Sequence, residues 1–211
     1  MAKTPLTWTE FQQFIAHLTT NTDAKGSEAN YRLLVFTAMA GHYGISSSAI
    51  LGLKWKDLIA LGKNTADGWK PGGECKTRIS VGEGSEVFTV HLDSALRRLI
   101  TQAFALAGIA FHRPGKDIFD RMNDYIIPSL RSGGTKSVDI QYINKLLKEE
   151  LVRFSASTID GSWITLHKTF VRHSFQEQGA NRAALIRLSE TMKHSSAKYT
   201  AKYIGLEAVP E

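Results

Sequence analysis

His194-Ser195-Ser196-Ala197-Lys198-Tyr199-Thr200-Ala201-Lys202-Tyr203 sets a histidine nine residues ahead of a tyrosine, with two serines directly after the histidine. The stretch reads as a short basic helix over Ser196–Ile204. Each residue has an ordinary structural use: a histidine ahead of Ser195 can cap the helix, and a tyrosine near a chain end is commonly core. The charge around it is less ordinary. From Ser162 to Ile204 the bases are Lys168, Arg172, Arg182, Arg187, Lys193, Lys198 and Lys202 against Glu177 and Glu190, which is +5 of the chain's net +6. A local basic surface attracts phosphate through Coulomb energy and counterion release. The same composition also suits a solvated helical face.

Moving toward the N-terminus, periodicity predicts helices over Arg182–Met192 and Leu166–Gln178, the latter containing Arg172-His173-Ser174-Phe175. Another spans Val138–Phe154, through Ile140, Ile143, Leu146, Leu147 and Leu151. The middle, with Pro114, Pro128 and Ser132-Gly133-Gly134, reads as loop. Thr77–Val81 and Glu86–Leu92 flank Gly82-Glu83-Gly84-Ser85, the one strong hairpin signal; Asp93 or Ser94 then caps a helix to about Ala107. Lys63–Gly73 is rich in Gly, Asn and Asp and reads as loop. Ser46-Ser47-Ser48 supplies an N-cap for a short helix through Ala49, Ile50 and Leu53. The apolar helix Tyr31–Tyr43 ends at Gly44, and Thr7-Trp8-Thr9-Glu10 is a capping box. The expected fold class is mainly α with a small antiparallel β-sheet (α+β).

With 211 residues, 43% of them hydrophobic and 22% charged, the chain has the composition of a soluble globular protein. It holds no apolar run of membrane-spanning length and no apolar leader, so a cytoplasmic location is expected. Cys75, the single cysteine, forms no internal disulfide. With no histidine cluster beside it, no metal and no cofactor are expected.

The segment from His194 to Tyr203 resembles the closing box of the tyrosine recombinases (the phage integrase family), where Gly-His-Ser-Ser is followed by the nucleophilic tyrosine nine residues after the histidine. Arg172-His173-Ser174-Phe175 is similar to that family's second-arginine box, His-x-Leu-Arg-His-Ser/Thr-Phe. Tyr43-Gly44-Ile45-Ser46-Ser47-Ser48-Ala49-Ile50-Leu51-Gly52-Leu53-Lys54-Trp55-Lys56-Asp57 has the shape of the first-arginine box. The three boxes stand in family order across about 160 residues. The resemblance implies one recombinase-like catalytic domain over residues 1–211, with no separate N-terminal core-binding domain. It implies double-stranded DNA as partner, with self-association on DNA.

What the resemblance implies for the site is mixed. Tyr203, Arg172, His194 and His173 match box positions, and Lys76 takes the place of the family's hairpin lysine unless it is simply an exposed strand-end residue. DNA contacts are expected from Arg172, Lys54, Lys56, Arg78, Lys193 and Lys198, with Trp55 packed in the core. Ser46, Lys76, Arg172, His194 and Tyr203 are expected to converge on one basic concavity. The first-arginine slot, however, falls on Ser46, the acidic slot after it on Ala49, and the first histidine of the second box on Thr169. His167 lies roughly 200° around a helix from Thr169 and is not expected to replace that histidine. Serine keeps a neutral donor and loses the charge, and removing one positioned donor typically costs about 10²–10³ in rate. The resemblance therefore implies a DNA-binding protein with impaired cleavage: a regulator, accessory factor or mobile-element remnant. The alternatives are an active recombinase using Tyr203 to form a 3′-phosphotyrosine, and an unrelated helical domain with a chance match.

Overall fold

A computed structural model describes residues 4–22, 28–60, 63–65, 68–70, 75–81, 87–110, 122–132, 134–154 and 161–210. Helix α1 (Trp8–Thr22) opens on the capping box: the Thr7 N–H donates to Glu10 Oε2 at 2.7 Å and the Glu10 N–H to Thr7 Oγ1 at 3.2 Å. Its apolar face, Phe11, Phe14 and Leu18, is buried against α2 (Glu28–Tyr43). Every residue of α2 from Tyr31 to Ala40 is buried, because helices pack around it on several sides.

Gly44 ends α2 with φ +63°, and a Cβ built there would meet the Phe170 ring at 2.3 Å. Left-handed backbone penalises any residue with a Cβ, and the ring would have to shift as well. Gly44→Ala is expected to lower stability by about 1–3 kcal/mol, read by urea unfolding; parental stability would count against this packing.

Two short helices follow, α3 (Ser47–Gly52), capped by Ser46, and α4 (Trp55–Leu58). Trp55 is buried as expected and packs at 5.1 Å on Phe104. The region read as loop carries a strand pair, β1 (Lys63–Thr65) and β2 (Gly68–Lys70), antiparallel with Thr65 opposite Gly68. Strands of three residues are too short for alternation to register in the sequence. The expected hairpin is β3 (Arg78–Val81) with β4 (Phe88–His91), Ile79 opposite Val90; its Gly82–Ser85 turn lies outside the described residues. Asp93, not Ser94, caps α5 (Ser94–Ala110), accepting from the Leu96 N–H at 2.8 Å.

Helix α6 (Ile140–Arg153), capped by Asp139, joins the same core. Helix α7 (Trp163–Glu177) divides its loyalties: Leu166 belongs to the main core, while Val171 and Phe175 belong to a second, smaller one. That second core holds α8 (Arg182–Thr191), through Ala184, Leu185 and Leu188, and α9 (Ala197–Tyr203), through Ala201 and Ile204. The terminal helices are thereby held against α7, which sets α9 beside the residues of the second box. Among the described residues no helix is long and apolar enough to cross a membrane, and no group of three His, Cys, Asp or Glu is arranged for a metal ion. The Cys75 thiol is buried, which pushes its pKa up to about 11.

Candidate functional site: a tyrosine paired with histidine on a basic face

Residues 165–169 of α7 are all buried, so adjacent side chains must find different partners. Thr169 donates to the Thr165 carbonyl at 2.8 Å and accepts from the Leu6 N–H at 3.0 Å. The slot that resembles a family histidine therefore anchors the segment before α1.

His167 points elsewhere, and here the sequence expectation needs correction. The two residues do face different ways, but the face that meets Tyr203 is that of His167: its Nδ1 lies 2.9 Å from the Tyr203 hydroxyl oxygen. A further hydrogen bond joins its ring to the Gly44 backbone and favours the imidazolium. Only a ring N–H donating to the Gly44 carbonyl has that sign. With that proton on Nε2, Nδ1 carries the lone pair and accepts from the Tyr203 hydroxyl.

Burial, with His194 adding to it, pushes the His167 pKa down to about 4, so this imidazole is neutral at pH 7. Burial, with Tyr199 adding to it, pushes the Tyr203 pKa up to about 12. Burial also lowers the pKa of His194. The His194 ring meets Tyr203 edge-on at 4.9 Å and Tyr199 at 5.0 Å, and its Nδ1 is 3.0 Å from Thr200 Oγ1. The Lys168 ammonium sits 5.1 Å from the centre of the Tyr203 ring, within cation–π range. Lys193 holds the left-handed conformation, φ +53°, at the position where the resembling box has glycine.

Of the residues proposed from sequence, His194 and Tyr203 are thus brought together. Arg172 is half-buried on α7, one helical turn beyond Lys168. His173 turns toward α1, where its ring stacks on Trp8 at 3.6 Å and 6°, a packing use that accounts for it. Ser46 is exposed; its hydroxyl caps α3, accepting from the Ala49 N–H at 3.4 Å. Lys76 donates to the Lys56 carbonyl at 2.5 Å, which ties the start of the hairpin to α4. The Lys54 ammonium lies 5.2 Å from the Tyr125 ring, while Lys56, Arg78, Lys193 and Lys198 are exposed.

The basic segment divides in the same way: Lys168 is buried against Tyr203, whereas Arg182, Arg187, Lys193, Lys198 and Lys202 are exposed. Sequence reasoning missed His167 and Lys168 as partners of Tyr203. No local spacing signals a contact between residues 36 apart.

The chain has the fold of the tyrosine recombinase catalytic domain. It is similar to the XerH site-specific recombinase in a post-cleavage complex with palindromic difH substrate, with a TM-score of 0.63 and 17% identity over 96% of this chain and 50% of that one. Similarity to the XerA recombinase gives a TM-score of 0.62 at 14% identity, covering 98% of this chain and 62% of that one. The Tn1549 transposon integrase in complex with transposon right-end DNA gives 0.56 at 14% identity, covering 99% and 63%. The chain therefore spans about half to five-eighths of the length of these structures. No family model and no curated protein matches it by sequence. A shared fold over nearly the whole chain disposes of the unrelated-domain reading.

Proposed function

We propose that this protein binds duplex DNA through the exposed bases of its C-terminal helices, and that its strand-cleaving chemistry is impaired at the phosphate clamp. Ser46 carries the second half of this reading: where the resembling box has an arginine, this chain has a neutral, exposed hydroxyl engaged in capping a helix. A serine cannot grip two phosphate oxygens as a guanidinium does. Binding is less affected, because contacts along a duplex are shared among many residues. Arg182, Arg187, Lys193, Lys198 and Lys202 supply such charge on α8, α9 and their connection. Two of the similar structures, XerH and the Tn1549 integrase, are themselves DNA complexes. A protein that binds without cutting suits a regulator, an accessory factor or a mobile-element remnant.

Affinity for duplex DNA, measured by fluorescence anisotropy, is expected to fall at least about tenfold between roughly 50 and 200 mM salt. A flat salt dependence, or no binding at low salt, would overturn the proposal. The second reading, an active recombinase forming a 3′-phosphotyrosine on Tyr203, is favoured by the hydrogen bond from Tyr203 to His167. A covalent adduct on a nicked suicide substrate separates it from the first.

A further inference from the structure

We infer, resting on the reading of Tyr203 as a reacting phenol, that His167 is the proton acceptor for Tyr203, a catalytic residue lying outside the three boxes. A phenol is a poor nucleophile until its proton leaves, and an adjacent, oriented base is the usual means. The parts are in line here. The Gly44 carbonyl holds one side of the imidazole, and the free Nδ1 lone pair faces the Tyr203 hydroxyl at 2.9 Å.

Burial disfavours the charge separation that the transfer creates, and two neighbours offset part of that cost. Moving the proton creates an imidazolium beside a phenolate. The Gly44 carbonyl stabilises the first, and the Lys168 ammonium over the ring stabilises the second. The titratable and charged groups facing the pair are Lys168 from α7, His194 from the connection between α8 and α9, and Tyr199 from α9. An isolated His167 is a weak base, with its pKa near 4. An anionic phosphodiester placed beside it favours the imidazolium and raises its basicity.

In the cleavage step the Tyr203 O–H bond breaks and its proton passes to His167 Nδ1. The phenolate oxygen bonds to phosphorus, and the P–O5′ bond breaks. The leaving 5′ oxygen takes a proton from water, and the hydroxide so formed is neutralised by the imidazolium.

The proton transfer can be tested without DNA, using 4-fluorosulfonylbenzoate, an anionic sulfonyl fluoride, as electrophile. The Tyr203 oxygen bonds to sulfur, fluoride leaves, and mass spectrometry locates the label. In the unmodified protein the labelling rate of Tyr203 is expected to rise through the titration of His167 and to level off by neutral pH. In His167→Gln, which keeps a hydrogen-bond acceptor but takes no proton, the rate is expected to be about 100-fold lower at pH 7 and to climb steadily with pH. His167→Phe is a second variant with the ring shape and no basic nitrogen. Whichever variant keeps the parental circular dichroism is the one compared.

A ratio below about tenfold overturns the assignment. So does labelling of exposed Tyr199 with none at Tyr203, or a wild-type rate that climbs without levelling. If neither variant folds, the wild-type profile decides alone. Duplex affinity and adduct formation by the unmodified protein are measured separately. A plateau in labelling by a protein that never joins DNA would sink the recombinase reading while leaving His167 as the acceptor.

Discussion

Between pH 6.5 and pH 4 the folded protein is expected to lose about 3 kcal/mol of stability on account of His167 alone. Burial and the nearby His194 hold this imidazole's pKa at about 4, against the ordinary 6.5 that it regains on unfolding. Between those values the unfolded chain binds a proton that the folded chain refuses, so stability falls as pH falls. The contribution is fully present above about pH 6.5 and gone below about pH 4. His42 and His194, both lowered by burial, act in the same direction. The measurement is therefore a difference: urea unfolding of the parent and of His167→Gln at several values across the window. The parent should be clearly the more acid-sensitive, and parallel pH curves would show that His167 is not held neutral in the folded state. The shift amounts to a few hundredfold in the folding equilibrium, large against the marginal stability of a domain this size.

The same residue shows where sequence reading reached and where it stopped. The helices of α1, α2, α6 and α7 were legible because each announces itself locally, through a capping box, an apolar period or a terminal glycine. The β3–β4 hairpin was legible for the same reason. The three boxes were legible as patterns, and the fold they implied is the one found. Tertiary pairing was not. Thr169 read as a degraded histidine slot, yet its hydroxyl is engaged by the Leu6 N–H from the far end of the chain. His173 read as a site residue, yet it stacks on Trp8.

His167 was set aside on a correct statement of helix geometry, which says how far apart two side chains point and nothing about which of them α9 will meet. That choice is made by the small second core, where Val171, Phe175, Ala201 and Ile204 fix the rotation of α7 against α9. Burial of Lys168 is legible in sequence for the same reason only in hindsight: its charge was counted with the surface bases, while its ammonium lies over a tyrosine ring. The division that results is chemical. His167 and Tyr203 are in contact, whereas Ser46, an exposed neutral residue, stands where the resembling box has its first arginine.

That division sets the last expectation: the unmodified protein forms almost no covalent adduct on a nicked suicide substrate, and Ser46→Arg raises the yield, by up to about 10²-fold. Ser46 is exposed and sits two residues beyond Gly44, whose backbone bonds His167. A guanidinium grown from this position therefore starts close to the Tyr203 pair. Its charge would supply the bidentate donor that a serine hydroxyl cannot.

The gain should be partial, for two physical reasons. Losing the serine removes the N-cap of α3, at a cost of about 1 kcal/mol, and Ala49 leaves the new arginine without an acidic neighbour to aim it. Ser46→Arg with Ala49→Glu addresses the second, since the Ser46 side chain already reaches the Ala49 backbone; the pair should exceed the single change. Tyr203→Phe in the same background removes the attacking oxygen and should abolish the adduct, which excludes Tyr199, one turn earlier, as the source. Efficient adduct formation by the unmodified protein would overturn the view of Ser46 as a broken clamp. An adduct that survives Tyr203→Phe would place the chemistry elsewhere.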